Sequence, residues 1–118
     1  MQLNLCYEYC LMMNWSVMMS KKESAISYLE LGQKLVATML RGTTESSFTL
    51  MRGVPANDDK RIEEYLWTEV IKDGKPVQLT LAKDNPLEIT LPGVYKFRND
   101  GFDDEQALID MTVYKRAE

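Results

Sequence analysis

From residue 46 onward the chain alternates apolar and polar side chains with period 2, the pattern of strands with one buried face. Phe48 and Leu50 share a face with Thr49 between them. Leu66, Thr68 and Val70 alternate with Tyr65, Trp67 and Glu69. Lys72-Asp73-Gly74-Lys75 follows, and Asp-Gly predicts a hairpin turn because glycine accepts positive φ. The return strand then points Val77, Leu79 and Leu81 inward. A second turn at residues 83–86 leads to Leu87, Ile89 and Leu91, again on one face. Pro92-Gly93 breaks that run before Tyr95 and Phe97. Ile109, Met111 and Val113 form the last inward row.

Residues 25–41 admit two readings. Ile26, Leu29, Val36 and Leu40 fit a helical stripe. Gly32 falls in its middle, and an interior glycine costs a helix about 1 kcal/mol. Two strands, 26–31 and 34–41, meeting at that glycine are preferred. The fold class expected is therefore all-β. It is a small antiparallel β-sandwich, Ig-like or jelly-roll-like, of seven to eight strands, with helix under about a fifth of residues.

Residues 1–20 are of a different kind. Glu8 is their one charged residue, and five of the chain's eight methionines lie there with both cysteines. No basic region or small-residue cleavage site marks a signal peptide. Glu8, Asn4, Asn14 and Gln2 interrupt any spanning helix. The division expected is an apolar arm, 1–20, and a sandwich domain, 21–118. The arm offers a strand at Leu3, Leu5 and Tyr7 for packing on a neighbouring subunit. A rival reading takes Met19-Ser20-Lys21-Lys22-Glu23 as the true start, with residues 1–18 translated only from an upstream codon.

Charge and chemistry narrow the function. At 118 residues with a net charge of −4 and a pI near 4.9, the chain fits one domain with no general nucleic-acid surface. It contains no histidine, so Ser-His-Asp, Cys-His and histidine-metal sites are excluded. Cys6 and Cys10 alone fall short of a zinc set. The acidic loops 99–105 and 57–59 lack the EF-hand order and read as solvated turns. Pairing Glu63, Glu64, Glu69 or Glu88 across a glycosidase cleft has no support in spacing. No catalytic residue, cofactor or metal is expected. Tyr65, Trp67 and Glu69 are the candidate partner or glycan surface, because aromatics beside a carboxylate suit sugar stacking. The competing and preferred reading places Trp67 in the core.

The strings Leu29-x-Leu31-Gly32-Gln33, Ser46-Ser47-Phe48-Thr49-Leu50-Met51-Arg52-Gly53, Tyr65-Leu66-Trp67-Thr68-Glu69-Val70, Asp73-Gly74-Lys75-Pro76-Val77-Gln78-Leu79 and Ile89-Thr90-Leu91-Pro92-Gly93-Val94-Tyr95-Lys96-Phe97 come in this order. Together they resemble small β-sandwich virion proteins of tailed bacteriophages, over about 70 of the 118 residues. The resemblance implies a non-enzymatic structural or assembly protein of the capsid, neck or tail. It would contact other virion proteins or copies of itself as a homo-oligomer, in the virion or in host cytoplasm before assembly. It transfers no catalytic residue. The alternative is a carbohydrate-binding β-sandwich module. No membrane or nucleic-acid partner is expected.

Overall fold

The computed structural model describes residues 9–18, 26–43, 46–56, 64–81, 86–100 and 107–116. Among them every regular element is a strand. These are β1 (Tyr9–Met18), β2 (Ser27–Leu29), β3 (Gln33–Arg41), β4 (Ser47–Pro55), β5 (Tyr65–Glu69), β6 (Ile71–Lys72), β7 (Lys75–Pro76), β8 (Gln78–Thr80), β9 (Leu87–Ile89), β10 (Gly93–Asn99) and β11 (Leu108–Arg116). The first sheet runs β1-β11-β3-β9 and the second β2-β10-β4-β5, with β8 beside β4. All pairings are antiparallel.

The strand order has a simple rule. Taking β5 to β8 as one interrupted strand, the described residues form eight strands, and they pair first with last, second with seventh, third with sixth and fourth with fifth. Alternate pairs fall in opposite sheets. A long ribbon rolled up in this way is a jelly roll. Of the two sandwich types expected, the pairing selects that one.

Why the interrupted strand breaks is visible at Leu50. Its carbonyl accepts from Val70 N–H, and its own N–H donates to the Val77 carbonyl. Val77 N–H closes the base by donating to Val70 O at 2.8 Å. Strand β4 thus exchanges partner there, from β5 to β8. The segment between leaves the sheet as the β6–β7 ribbon, turning at Asp73 and Gly74 with φ of 55° and 78°. Two positive φ values define a type I′ turn. Nothing lies within 4 Å of a Cβ placed on Gly74, so substitution there meets backbone strain alone. Gly74→Val is expected to destabilise by about 1–3 kcal/mol, and urea unfolding midpoints check it.

One core joins the sheets. Leu35, Ala37 and Met39 on β3 and Ile109, Met111 and Val113 on β11 face Phe48, Leu50, Leu79, Tyr95 and Phe97. The Phe48-Leu50, Tyr95-Phe97 and Ile109-Met111-Val113 rows are the alternating positions read from the sequence, and in β3 the inward set is Leu35, Ala37 and Met39. Gly32, at φ 86°, turns the chain from β2 in one sheet to β3 in the other. The Tyr95 hydroxyl donates to the Leu91 carbonyl at 2.6 Å, a tyrosine corner that fixes the bend at Pro92-Gly93. This bend carries Leu91 out of the inward row, and it is exposed. Leu81 and Leu66 are exposed as well, at the end of β8 and on edge strand β5.

Over residues 9–18 the segment expected as an arm is an edge strand of the chain's own sheet. Trp15 and Val17 point to the same side as Met111 and Ile109, and both pack against the core. Asn14 locks the register. Its amide donates to Asp110 at 3.0 and 3.1 Å, to the Met111 carbonyl at 3.2 Å and to Thr112 Oγ1 at 2.7 Å. Leu3, Leu5 and Tyr7 lie outside the described residues, as do Cys6, most of the 99–105 loop and the 57–59 loop. Among the described residues no helix is long and apolar enough to cross a membrane.

Candidate functional site

Alternation along β5 puts Tyr65, Trp67 and Glu69 together on the outer face of the second sheet. Their partners on β4 are Pro55, Gly53 and Met51. Gly53 decides where the indole goes. A Cβ at that position would stand 3.0 Å from Trp67 Cζ3 and 3.1 Å from both Cη2 and Tyr65 Cβ, so glycine lets the ring lie against the β4 backbone where a side chain would press it away. The Tyr65 and Trp67 rings lie 5.5 Å apart, tilted by 52°. Lys96, from β10 on the far side of β4, brings its ammonium 4.2 Å from the Trp67 ring centre. Trp67 is therefore half-buried on a solvent-facing surface and not a core residue. The core place expected for it is filled by Phe48 and Phe97.

A polar row continues from Glu69. Arg98 donates from Nη2 to Glu69 Oε2 at 2.6 Å and from Nε to Asp100 Oδ1 at 2.9 Å. Asp100 also accepts from the Thr49 hydroxyl, which in turn accepts from Gln78 Nε2 at 3.3 Å. Hydrogen bonds to Asp100 and then to Glu69 raise the Arg98 pKa. For Asp100, burial pushes the carboxyl up, but the bonds from Arg98 and Thr49 outweigh it and hold the carboxyl below its usual range. Lys96, Arg98, Thr49 and Gln78 were not singled out as site residues in the sequence, and Asp100 was considered only as part of the 99–105 loop. Lys96, Arg98 and Asp100 follow Val94 at period 2, and Thr49 alternates with the inward Phe48 and Leu50, but cross-strand register brings them beside β5.

The lowered Asp100 pKa has a direct consequence. The unfolded chain takes up this proton at higher pH than the folded one, so the stabilisation is present above about pH 4 and is lost on acidification. Asp100→Asn is expected to lower stability at pH 7 and to flatten its fall between about pH 5 and pH 2. Urea unfolding across that range is the measurement.

A second surface lies on β1. Leu11, Met12 and Met13 are 64%, 47% and 53% exposed in succession. Met12 is the extra residue of a β-bulge between Leu11 and Met13. Beside them, where the edges of the two sheets face each other, Met13 and Trp15 share a recess with Ile26 and Tyr28. Both Ile26 and Tyr28 are exposed. The far edge of β1 pairs with no strand among the described residues.

No three acidic or cysteine side chains among the described residues are grouped to hold a metal ion. Cys10 is a free, exposed thiol. No family model matches the chain, and no curated protein or solved structure is significantly similar to it.

Proposed function

We propose that the chain is a non-enzymatic assembly module that works by protein–protein contact, of the kind its resemblance to tailed-phage virion proteins implies. The observation that carries this reading is the apolar run Leu11-Met12-Met13 on an edge strand. An edge strand with open backbone groups is a template for another chain, and soluble proteins usually guard it with charge or proline. Here three exposed positions in succession, Leu11, Met12 and Met13, are apolar, and methionine adapts to varied partner surfaces. Ile26 and Tyr28 widen the patch at the seam. Patches of this kind mark association sites. The jelly-roll architecture favours the reading by analogy only, since viral coat proteins and lectins both use it.

The partner this surface would take is another copy of the chain. Light scattering on the whole chain is expected to give a mass above the monomer. Leu11→Lys combined with Met12→Glu is expected to return it to the monomer with little change in melting temperature. A wild-type chain that stays monomeric at high concentration overturns the proposal.

The Tyr65–Trp67 pair beside Glu69 favours a second reading, a carbohydrate-binding face. Against it, the Lys96 ammonium already sits on the indole a sugar would stack on. Quenching of Trp fluorescence by an oligosaccharide, lost in Trp67→Ala, would move the balance to this reading.

A further inference from the structure

The other seam of the sandwich, opposite the β1–β2 side, holds a cleft of about 530 Å³ between β9 and the strands of the second sheet. Ligand sites commonly have this size. One wall is apolar, from Leu50, Val70, Val77, Leu87 and Ile89, while Glu69, Lys72 and Glu88 also line the cleft. Arg52 stands out among its polar residues by its place. On β4 the inward positions run Phe48, Leu50, Arg52, so a guanidinium stands where the alternation calls for an apolar side chain. Nη2 donates to the Pro92 carbonyl at 2.8 Å. The Nε–H is buried and has no acceptor among the described residues.

Space has been made for this group. A Cβ on Gly93 would stand 2.7 Å from Arg52 Nε. Neither carboxylate at the cleft answers it: Glu69 is held by Arg98 at 2.6 Å and Glu88 faces Lys34 at 3.6 Å. Tyr95, which also lines the cleft, has spent its hydroxyl proton on Leu91. A buried N–H without an acceptor is uncommon, and a buried charge without a counter-charge is costly. Arg52 is half-buried as a residue, but its Nε–H is buried without an acceptor among the described residues, beside the apolar wall of the cleft.

We infer that this cleft binds a small amphipathic carboxylate, with its head on the Arg52 guanidinium and its hydrocarbon part along Leu50, Val70, Val77 and Leu87. The fork of the guanidinium matches a carboxylate in shape as well as charge. An alkyl alcohol of equal length would fill the same walls but leave the cation unanswered. This site is independent of the β1 surface and of the assembly reading.

The test is a methyl NMR titration of the whole chain with octanoate and, separately, with 1-octanol. Octanoate is expected to shift the Val70, Val77 and Leu87 methyls and to bind at least tenfold more tightly than octanol. Arg52→Met is expected to remove that preference while octanol binding stays within about twofold. Val70→Trp keeps Arg52 and fills the cleft, and both probes are expected to weaken together; this variant serves if Arg52→Met does not fold. Equal affinity for the two probes in the wild type overturns the inference. So does octanoate binding that survives Val70→Trp unchanged.

Discussion

A chain beginning at Met19 is expected to lose cooperative unfolding. Removing residues 1–18 takes away β1, and β1 covers the full length of β11 from Tyr9↔Arg116 to Met18↔Leu108. Trp15 and Val17 leave the core with it. Both are partly buried, so each is worth less than a fully buried side chain, but with them goes the whole β1–β11 pairing, and a domain's stability is about 5–15 kcal/mol in all. The four acceptors now bonded by Asn14 are released as well. Far-UV circular dichroism and urea unfolding of the two chains side by side measure the effect. A Met19-start chain with the same midpoint and slope as the longer one would show that β1 is dispensable. It would also revive the reading in which translation begins at Met19.

The second large effect concerns which aromatic anchors the sandwich. Phe97→Ala is expected to cost about 3–5 kcal/mol, because Phe97 is 1% exposed and sits between the two sheets. Trp67→Ala is expected to cost about 1 kcal/mol, the scale of the surface contacts it removes, with Tyr65 on its own strand and with Lys96 on β10. The larger side chain thus has the smaller effect. Urea unfolding midpoints for the two variants decide it, and a reversed order would place Trp67 in the core after all.

Central strands were the readable part of this fold. In β3, β10 and β11 one face is wholly buried and the other is not, so Leu35-Ala37-Met39, Tyr95-Phe97 and Ile109-Met111-Val113 stand out as period-2 rows. The Asp73-Gly74 turn was readable because its chemistry is local. Strand β1 was obscured by its own edge. Asn14-Trp15-Ser16-Val17 alternates cleanly, but the apolar run Leu11-Met12-Met13 beside it follows no period, since bulge and exposure fall there together. For Trp67, alternation separates it from Leu66 but cannot say which face meets the other sheet. That choice is made by Gly53, a residue on the neighbouring strand. Arg52 carried no local signal beyond a charge out of phase, and its surroundings come from three other elements.

Strand β11 lies between β1 and β3, so a strand from the end of the described chain completes a sheet whose outer strand comes from its beginning. Asn14 and Asp110, bonded to each other, are 96 residues apart along the chain. Such long-range pairing makes for slow folding, because a large loop must close before any contact rewards it. During synthesis the consequence is sharper. Until residues 108–116 leave the ribosome, β1 has no strand to pair with in its sheet and β3 has one side open. At about 5–20 residues per second, the interval between the emergence of Asn14 and that of Asp110 lasts about 5–20 seconds. Throughout it the Leu11-Met12-Met13 run is available to whatever meets it first. A nascent chain of this topology is therefore a client for a holding chaperone at its N-terminal end, and its yield should rise when that holder is abundant.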